Sequence, residues 1–297
     1  MVDVTDWLVE DENPAIKYRT MTEIFGKSFE ESEEVYDLIW KQKPILKMLK
    51  RQDESGLWRM TGLRDADSMR YLTAFAEYGL CKDGRLDRYV EYIINLLQSW
   101  EKQEVDVFTC YAPMTLRALV MLGYHETGDV MELISKFAST QIFDGGFMCK
   151  RQLAKKPARK SCYKASVSGL LLYAECKRKN ILPANADDLI NYFLKRDVFY
   201  SSDKIQSFID KDGTPKGFPG DLMKMGIPLI VSALSILGAG NHPALQKAWK
   251  MLNERKGEND RFRLDGLAKQ PGIYGKDGRE NKWATFYAVL AKTYRTI

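Results

Sequence analysis

Apolar residues follow two alternating helical patterns along most of this chain. In the first pattern, a stretch of helical length carries almost no charge, as in 227–240 and 284–291. A helix formed there must be buried on all sides. In the second pattern, apolar residues recur with helical spacing and polar residues stand between them, as in 85–97 and 130–140. The alternation predicts buried and amphipathic helices in turn, with no strand and no linker.

The predicted buried helices begin near residues 67, 109, 162, 219 and 282. Residues 13–25 supply either a sixth buried helix or an amphipathic hairpin with residues 30–51. Five or six buried helices alternating with amphipathic ones predict two concentric layers. We therefore expect an all-α fold, an α/α toroid, in which helical hairpins form a barrel with inner and outer layers. An open HEAT-like solenoid with one buried layer is the alternative.

The connections between the predicted helices are of two kinds. Short turns that contain Gly79, Gly123 or Gly238 lead from buried to amphipathic helices. Glycine at these positions is typical of a helix end in the left-handed conformation. Longer segments lead back to the next buried helix, so all long loops should lie at one end. We expect a single toroid domain over residues 1–297.

Two of the long segments carry the same short string. Residues 52–58 read Q-x-x-x-G-x-W, and residues 141–147 read Q-x-x-x-G-x-F. A string that recurs at a junction between helices indicates an array of helical hairpins. Glutamine can satisfy free backbone groups at helix ends, glycine permits a tight turn, and the aromatic ring packs between hairpins. We therefore expect these residues to stabilise the fold.

The Q-x-x-x-G-x-W string resembles the repeat of squalene–hopene and oxidosqualene cyclases, whose toroid is related to that of protein prenyltransferase β subunits. Over most of its length the chain resembles the prokaryotic "prenyltransferase and squalene oxidase repeat" proteins. Besides the strings, the resemblance rests on Trp7, 13–19, 144–149 and 282–285. It implies a toroid with a mostly apolar central cavity and an apolar or isoprenoid-like ligand. Such a repeat is informative about the fold and much less so about the reaction.

An acidic motif precedes the first predicted buried helix after Trp58. Asp65-Ala66-Asp67 matches the first three positions of the D-x-D-D motif of class II terpene cyclases, and Ser68 departs from the fourth. The resemblance implies that Asp67 is the acid, with Asp65 as its partner, in a proton-initiated cyclisation or isomerisation. Two carboxylates close together in an apolar cavity raise the pKa of one of them. The alternative is that Asp67 or Ser68 caps the helix.

Other candidate residues surround the predicted starts of the buried helices, because the cavity of a toroid opens there. As substrate-binding residues we predict Cys110, Tyr111, Cys149, Cys162, Tyr163, Phe218, Lys282 and Trp283. Aromatic faces in this set could stabilise carbocations. The thiolates of Cys110, Cys149 and Cys162 could together hold zinc or iron. The alternative is that they are simply small residues of the core, and no cofactor is predicted.

Charge and cysteine content narrow the classes of partner. The net charge is +5, and basic residues concentrate in 150–160 instead of recurring in each repeat. This distribution argues against a HEAT-like DNA-binding protein, so we expect no nucleic acid as a partner.

Five cysteines without paired spacing and no signal sequence predict a cytoplasmic location, and no apolar run is long enough to span a membrane. A non-catalytic ligand- or partner-binding repeat protein stays open beside the enzyme, as does the oligomeric state.

Overall fold

The computed structural model describes residues 3–58, 65–102, 111–148, 160–209, 226–257, 259–264 and 279–295. For residues 65–68, 100–102 and 111 it describes the backbone alone. The chain divides into two compact units. The middle unit is Tyr36–Pro183, and the terminal unit joins Met1–Val35 to Ala184–Ile297. The expectation of one toroid domain stays a prediction.

The described secondary structure is helical, joined by turns and loops, with three isolated β-bridges and no strand among the described residues. Two short 3₁₀ helices lie at Tyr124–Glu126 and Pro243–Leu245. The α-helices are α1 (Val4–Leu8), α2 (Pro14–Glu23), α3 (Glu33–Trp40), α4 (Lys43–Leu49), α5 (Asp65–Glu77), α6 (Gly84–Lys102), α7 (Tyr111–Met121), α8 (Gly128–Ser139), α9 (Tyr163–Arg178), α10 (Ala186–Leu194), α11 (Gly226–Ile236), α12 (Gln246–Asn253) and α13 (Lys282–Arg295).

Buried and amphipathic helices alternate as the sequence predicts. All residues of α11 are buried, and so are the first ten residues of α13. Helix α6 buries Leu86, Tyr89, Val90, Ile93 and Leu97 on one side and exposes its charged residues between 85 and 91. The predicted starts near 67, 109, 162 and 282 correspond to α5, α7, α9 and α13, and the predicted start near 219 lies outside the described residues.

The buried helices pack against one another within each unit. In the middle unit, α7 contacts both α5 and α9, while the amphipathic helices α6 and α8 contact each other. In the terminal unit, α13 contacts both α11 and α2. Helix α2 buries five of its ten residues, so residues 13–25 supply a buried helix and not half of an amphipathic hairpin.

The residues that follow the buried helices adopt the left-handed conformation. Gly79, Gly123 and Gly238 have φ values of 81°, 93° and 89°, which confirms the predicted helix ends. After α9 the same position is taken by Asn180, with φ of 58°. Asparagine tolerates this region better than other non-glycine residues do, so a turn of the same kind forms there without a glycine signal in the sequence.

Replacing Gly123 with alanine should lower the free energy of unfolding by about 1–2 kcal/mol, because an L side chain is disfavoured in the left-handed region. The added Cβ would meet no atom closer than 4.0 Å, so backbone strain accounts for the loss. The control is Gly128→Ala, at the first residue of α8, where the added Cβ meets nothing within 4 Å. Urea unfolding should place the control within about 0.5 kcal/mol of the parent. Equal losses in the two variants would contradict the assignment.

Candidate functional site

The two repeated strings form the same turn. The side-chain amide of Gln52 donates a hydrogen bond to the Gly56 carbonyl over 2.6 Å, and Gln141 donates to Gly145 over 2.7 Å. Both glycines are left-handed, with φ values of 81° and 83°. Glutamine therefore satisfies a carbonyl of the turn, and the geometry agrees with the stabilising role expected from the sequence.

The aromatic residue that ends each string is buried between helices. Trp58 lies 4.5 Å, between ring centroids, from Tyr89 of α6, and Phe147 stacks on Phe137 of α8 at 4.2 Å. Gly169 of α9 leaves room for the second ring, since a Cβ there would lie 2.7 Å from a carbon of Phe147. Each ring thus joins an amphipathic helix to its neighbours in the core.

A third copy of this turn has neither glutamine nor glycine at the key positions. Gly257 N–H donates to the Arg261 carbonyl over 2.7 Å, and the strings make the same bond over 2.8 and 3.0 Å. Asp260 takes the left-handed position, with φ of 60°, and Phe262 is the buried aromatic residue. In the two strings a glutamine side chain donates to the carbonyl of the left-handed glycine. In the third turn, Lys256 instead forms an ion pair with the side chain of Asp260. Lys256, Asp260 and Phe262 keep the spacing of the strings but not their first two residue types, so the sequence pattern did not reveal this copy.

The second and third of these turns are hydrogen-bonded to the starts of the buried helices that follow them. Phe147 N–H donates to the Ser166 hydroxyl over 2.9 Å, and Phe262 N–H donates to the Thr285 hydroxyl over 2.8 Å. Ser166 is the fourth residue of α9, and Thr285 is the fourth residue of α13. Two of the turns therefore hold the starts of α9 and α13, where Cys162, Tyr163, Lys282 and Trp283 were predicted as site residues.

The predicted acidic pair lies in the first turn of α5. That helix begins at Asp65, so Asp67 is its third residue and not the residue before the helix. Tyr111 is the first residue of α7, which packs against α5. For all three the backbone is described and the side chains are not. The capping interpretation of Asp67 does not fit these helix bounds.

A buried cluster of charges joins α5, α7 and α9. Arg117 of α7 contacts Glu77 in the last turn of α5 and lies 3.4 Å from Glu175 in the last turn of α9. All three side chains are at least 93% buried.

The residues that follow the helices meet as well: the Lys82 ammonium lies 5.7 Å from the centroid of the Tyr124 ring, and burial and the charge of Lys179 lower the pKa of His125. Because these contacts come after those of Arg117 in each chain segment, the three helices run in the same direction, and their N-terminal ends lie on the same side of the middle unit.

The start of α9 holds two further predicted residues. Cys162 precedes the helix and is half-buried, and its N–H donates to the Phe147 carbonyl over 2.7 Å. Tyr163 is the first residue of α9 and is buried. The other predicted residues of this group, Cys110, Cys149 and Phe218, lie outside the described residues, and so the three-cysteine metal site stays a prediction. Within the described part of the chain, no group of three or more metal-ligating side chains comes together.

Lys282 and Trp283 begin α13 in the terminal unit. The Lys282 ammonium lies 3.0 Å from Glu10 and 3.8 Å from Glu12, and its side chain is 9% exposed. Its nitrogen also lies 5.4 Å from the centroid of the Trp7 ring. Trp283 is buried, and its backbone N–H donates a hydrogen bond to the side-chain oxygen of Asn281 over 3.0 Å. The sequence predicted Lys282 as a site residue but not the two glutamates that contact it.

A second buried arginine joins α2 to α13. Arg19 pairs with Glu23 on its own helix and donates to the Tyr287 hydroxyl over 3.1 Å. The ion pair of Lys282 with Glu12 lies at the start of both helices and the Arg19–Tyr287 bond lies further along both, so α2 and α13 also run in the same direction, with their N-terminal ends together. Arg117 stands out in the sequence as the one charged residue of α7, whereas α2 carries Lys17 and Glu23 besides Arg19, so the sequence gives no such signal for Arg19.

The described residues also line a shallow cavity of about 550 Å³ in the terminal unit. It lies on α12 and the last residue of α13, away from the predicted candidates. Its lining residues are Gln246, Trp249, Lys250, Asn253, Glu254 and Arg295. None of the described helices has the length and apolar character that crossing a membrane requires.

Comparison with solved structures identifies the fold. The chain is similar to a glycosyl hydrolase of family 88 from Bacteroides vulgatus, with a TM-score of 0.56 and 11% sequence identity, over 96% of this chain and 90% of that chain. At this identity the similarity shows the fold alone, and it confirms the predicted all-α, α/α toroid. The sequence matches no protein-family model and no curated protein, so the resemblance to the squalene oxidase repeat proteins stays a prediction.

Replacing Arg117 with methionine should lower the free energy of unfolding by about 3–5 kcal/mol, because it removes the buried cation that Glu77 and Glu175 share. Arg178→Met is the matched control: Arg178 contacts the other oxygen of Glu175 over 3.1 Å, but its side chain is 18% exposed. The control should lose less than about 1 kcal/mol. Chemical denaturation measures both variants, and similar losses would show that Arg117 does not hold the three helices together.

Proposed function

We propose that the chain binds an apolar, isoprenoid-like small molecule at the N-terminal ends of its buried helices. In this proposal Asp67 donates a proton to the ligand and Asp65 is its partner. The observation that carries it is the common direction of α5, α7 and α9. Because their starts lie together, the predicted residues Asp67, Tyr111 and Tyr163 belong to one end of the middle unit.

The chemistry of the proposal is an isomerisation without a net change in atoms. The Asp67 carboxyl group gives its proton to a carbon–carbon double bond and leaves a carbocation on the neighbouring carbon. A second double bond of the ligand attacks that carbon and closes a ring. Loss of a proton from an adjacent carbon ends the reaction and reprotonates the enzyme. Aromatic rings near the ligand, such as that of Tyr163, would stabilise the positive charge.

The helix position of Asp67 sets a condition on this role. Backbone N–H groups in the first turn of a helix favour an ionised carboxylate, whereas a proton donor must be neutral at the start of the reaction. An apolar ligand supplies the opposing effect, because it removes water from the carboxyl group and so raises its pKa. We therefore expect the acid to form only when the ligand is bound.

A second candidate function is the hydrolysis of a glycosidic bond. The solved structure with the same fold is named as a glycosyl hydrolase. A carboxylic acid can protonate a glycosidic oxygen as it can a double bond, and a second carboxylate then activates water or attacks the sugar. The same aspartate pair would serve, so the two functions differ in the ligand and not in the acid.

The first experiment is a thermal-shift panel that contains squalene in detergent, an isoprenoid diphosphate and an aryl glycoside. A ligand present at about 100 times its Kd stabilises the folded state by roughly 2.7 kcal/mol, which raises the Tm visibly. A rise with an isoprenoid supports the main proposal, and a rise with the glycoside alone supports the second candidate. No rise with any of them contradicts both.

Asp67→Asn should slow product formation from the ligand found in the panel by roughly 10²- to 10⁴-fold. It should leave binding of that ligand in place. Asp188→Asn is the matched control, since Asp188 is the third residue of the amphipathic helix α10, as Asp67 is of α5. Both variants lose the same interaction with a helix N-terminus, but the control should retain its turnover. Mass spectrometry of the products measures this. Unchanged turnover in Asp67→Asn contradicts the mechanism, and binding without any product supports the non-catalytic alternative.

A further inference from the structure

A nearly buried ammonium in the terminal unit is neutralised by carboxylates that are themselves exposed. The Lys282 side chain is 9% exposed, whereas that of Glu10 is 49% exposed and that of Glu12 is 81% exposed. Exposed ion pairs contribute little, because water competes for both partners and long side chains lose freedom. The two glutamates are therefore weakly held counterions of a cation that cannot itself leave the site.

A second cation and an aromatic ring complete the surroundings of Lys282. The Arg261 guanidinium carbon lies 4.3 Å from the centroid of the Trp7 ring, and Lys282 lies 5.4 Å from the same centroid. Arg261 has Glu280 at 3.5 Å as its own exposed partner. Two cations therefore lie near one ring, and guanidinium and ammonium groups both bind phosphate oxygens, which favours an anion with several oxygens as a ligand.

The segment that carries the two glutamates lies over this site as part of the fold. Helix α1, which bears Trp7, contacts α2 and α13, and residues 10–12 connect it to α2. These residues read Glu10-Asp11-Glu12, yet Asp11 contacts Lys17 and not Lys282. The flanking carboxylates alone thus take the place that the oxygens of an anion would occupy.

We infer that Lys282 and Arg261 form a binding site for a phosphate-bearing small molecule, and that Glu10 and Glu12 are a built-in competitor for it. The ligand displaces the glutamates from Lys282 and leaves them in water, where they were already largely exposed. The competition raises the ligand concentration that is needed to fill the site. The inference goes beyond the proposed function, because its test uses a diphosphate without any isoprenoid group.

The test is isothermal titration of the whole protein with inorganic pyrophosphate at fixed ionic strength. The double variant Glu10→Gln, Glu12→Gln should bind pyrophosphate roughly fivefold more tightly than the parent, because the competing charges are gone. Asp11→Asn removes from the same segment a charge that pairs with Lys17 and acts on Lys282 only at longer range, so it should change the affinity by less than twofold. Lys282→Met should lose at least tenfold in affinity.

Three outcomes would overturn the inference. Pyrophosphate that fails to bind the double variant excludes the anion site. An equal gain in Asp11→Asn shows that the net charge of the segment matters and not the contact with Lys282. Binding to Lys282→Met at the affinity of the parent places the anion elsewhere. Circular dichroism of each variant checks that the fold is intact, and none of these results depends on whether squalene binds.

Discussion

The buried contact of one guanidinium with two carboxylates constrains the middle unit more than any other interaction. Arg117 can meet Glu77 and Glu175 together only if α5, α7 and α9 keep one longitudinal register. Hydrophobic packing alone would tolerate a helix that slides by part of a turn, since apolar contacts are not directional. A buried charge does not tolerate the slide, because it would lose its partner at the cost of full desolvation. The alignment of the helix starts at the other end follows from this register.

The order and burial of the helices were predictable because each depends on a local pattern. A stretch without charge, such as that of α11, must be buried wherever it lies, and glycine after a buried helix predicts its end. The toroid needed one further step, the inference that buried helices alternating with amphipathic ones form two concentric layers. The sequence pattern did not reveal positions at which another residue type takes the place of the glycine or the glutamine of a turn. Asn180 replaces a glycine, and Asp260 with Lys256 replaces glycine and glutamine.

The candidate site was predictable to a lesser extent. Sequence spacing placed Asp65 and Asp67 at the start of a buried helix, and the structure agrees with that position. It could not name the partners of a buried charge, because these lie far apart along the chain. Arg117 is 40 residues from Glu77 and 58 from Glu175, and Lys282 is 272 residues from Glu10. No periodicity links such residues, and only the packing of whole helices brings them together.

The three equivalent turns differ in the chemistry that closes them. Two are closed by a glutamine amide, which keeps its hydrogen bond at any ordinary pH and salt concentration. The third is closed by Lys256 and Asp260, and the hydrogen bond from Lys256 holds the pKa of that carboxyl group below its usual range. That bond is present at neutral pH and is lost as the pH falls through the lowered pKa. Acid and salt therefore weaken the closure of the third turn and not that of the other two, so this turn, which precedes α13, should loosen first.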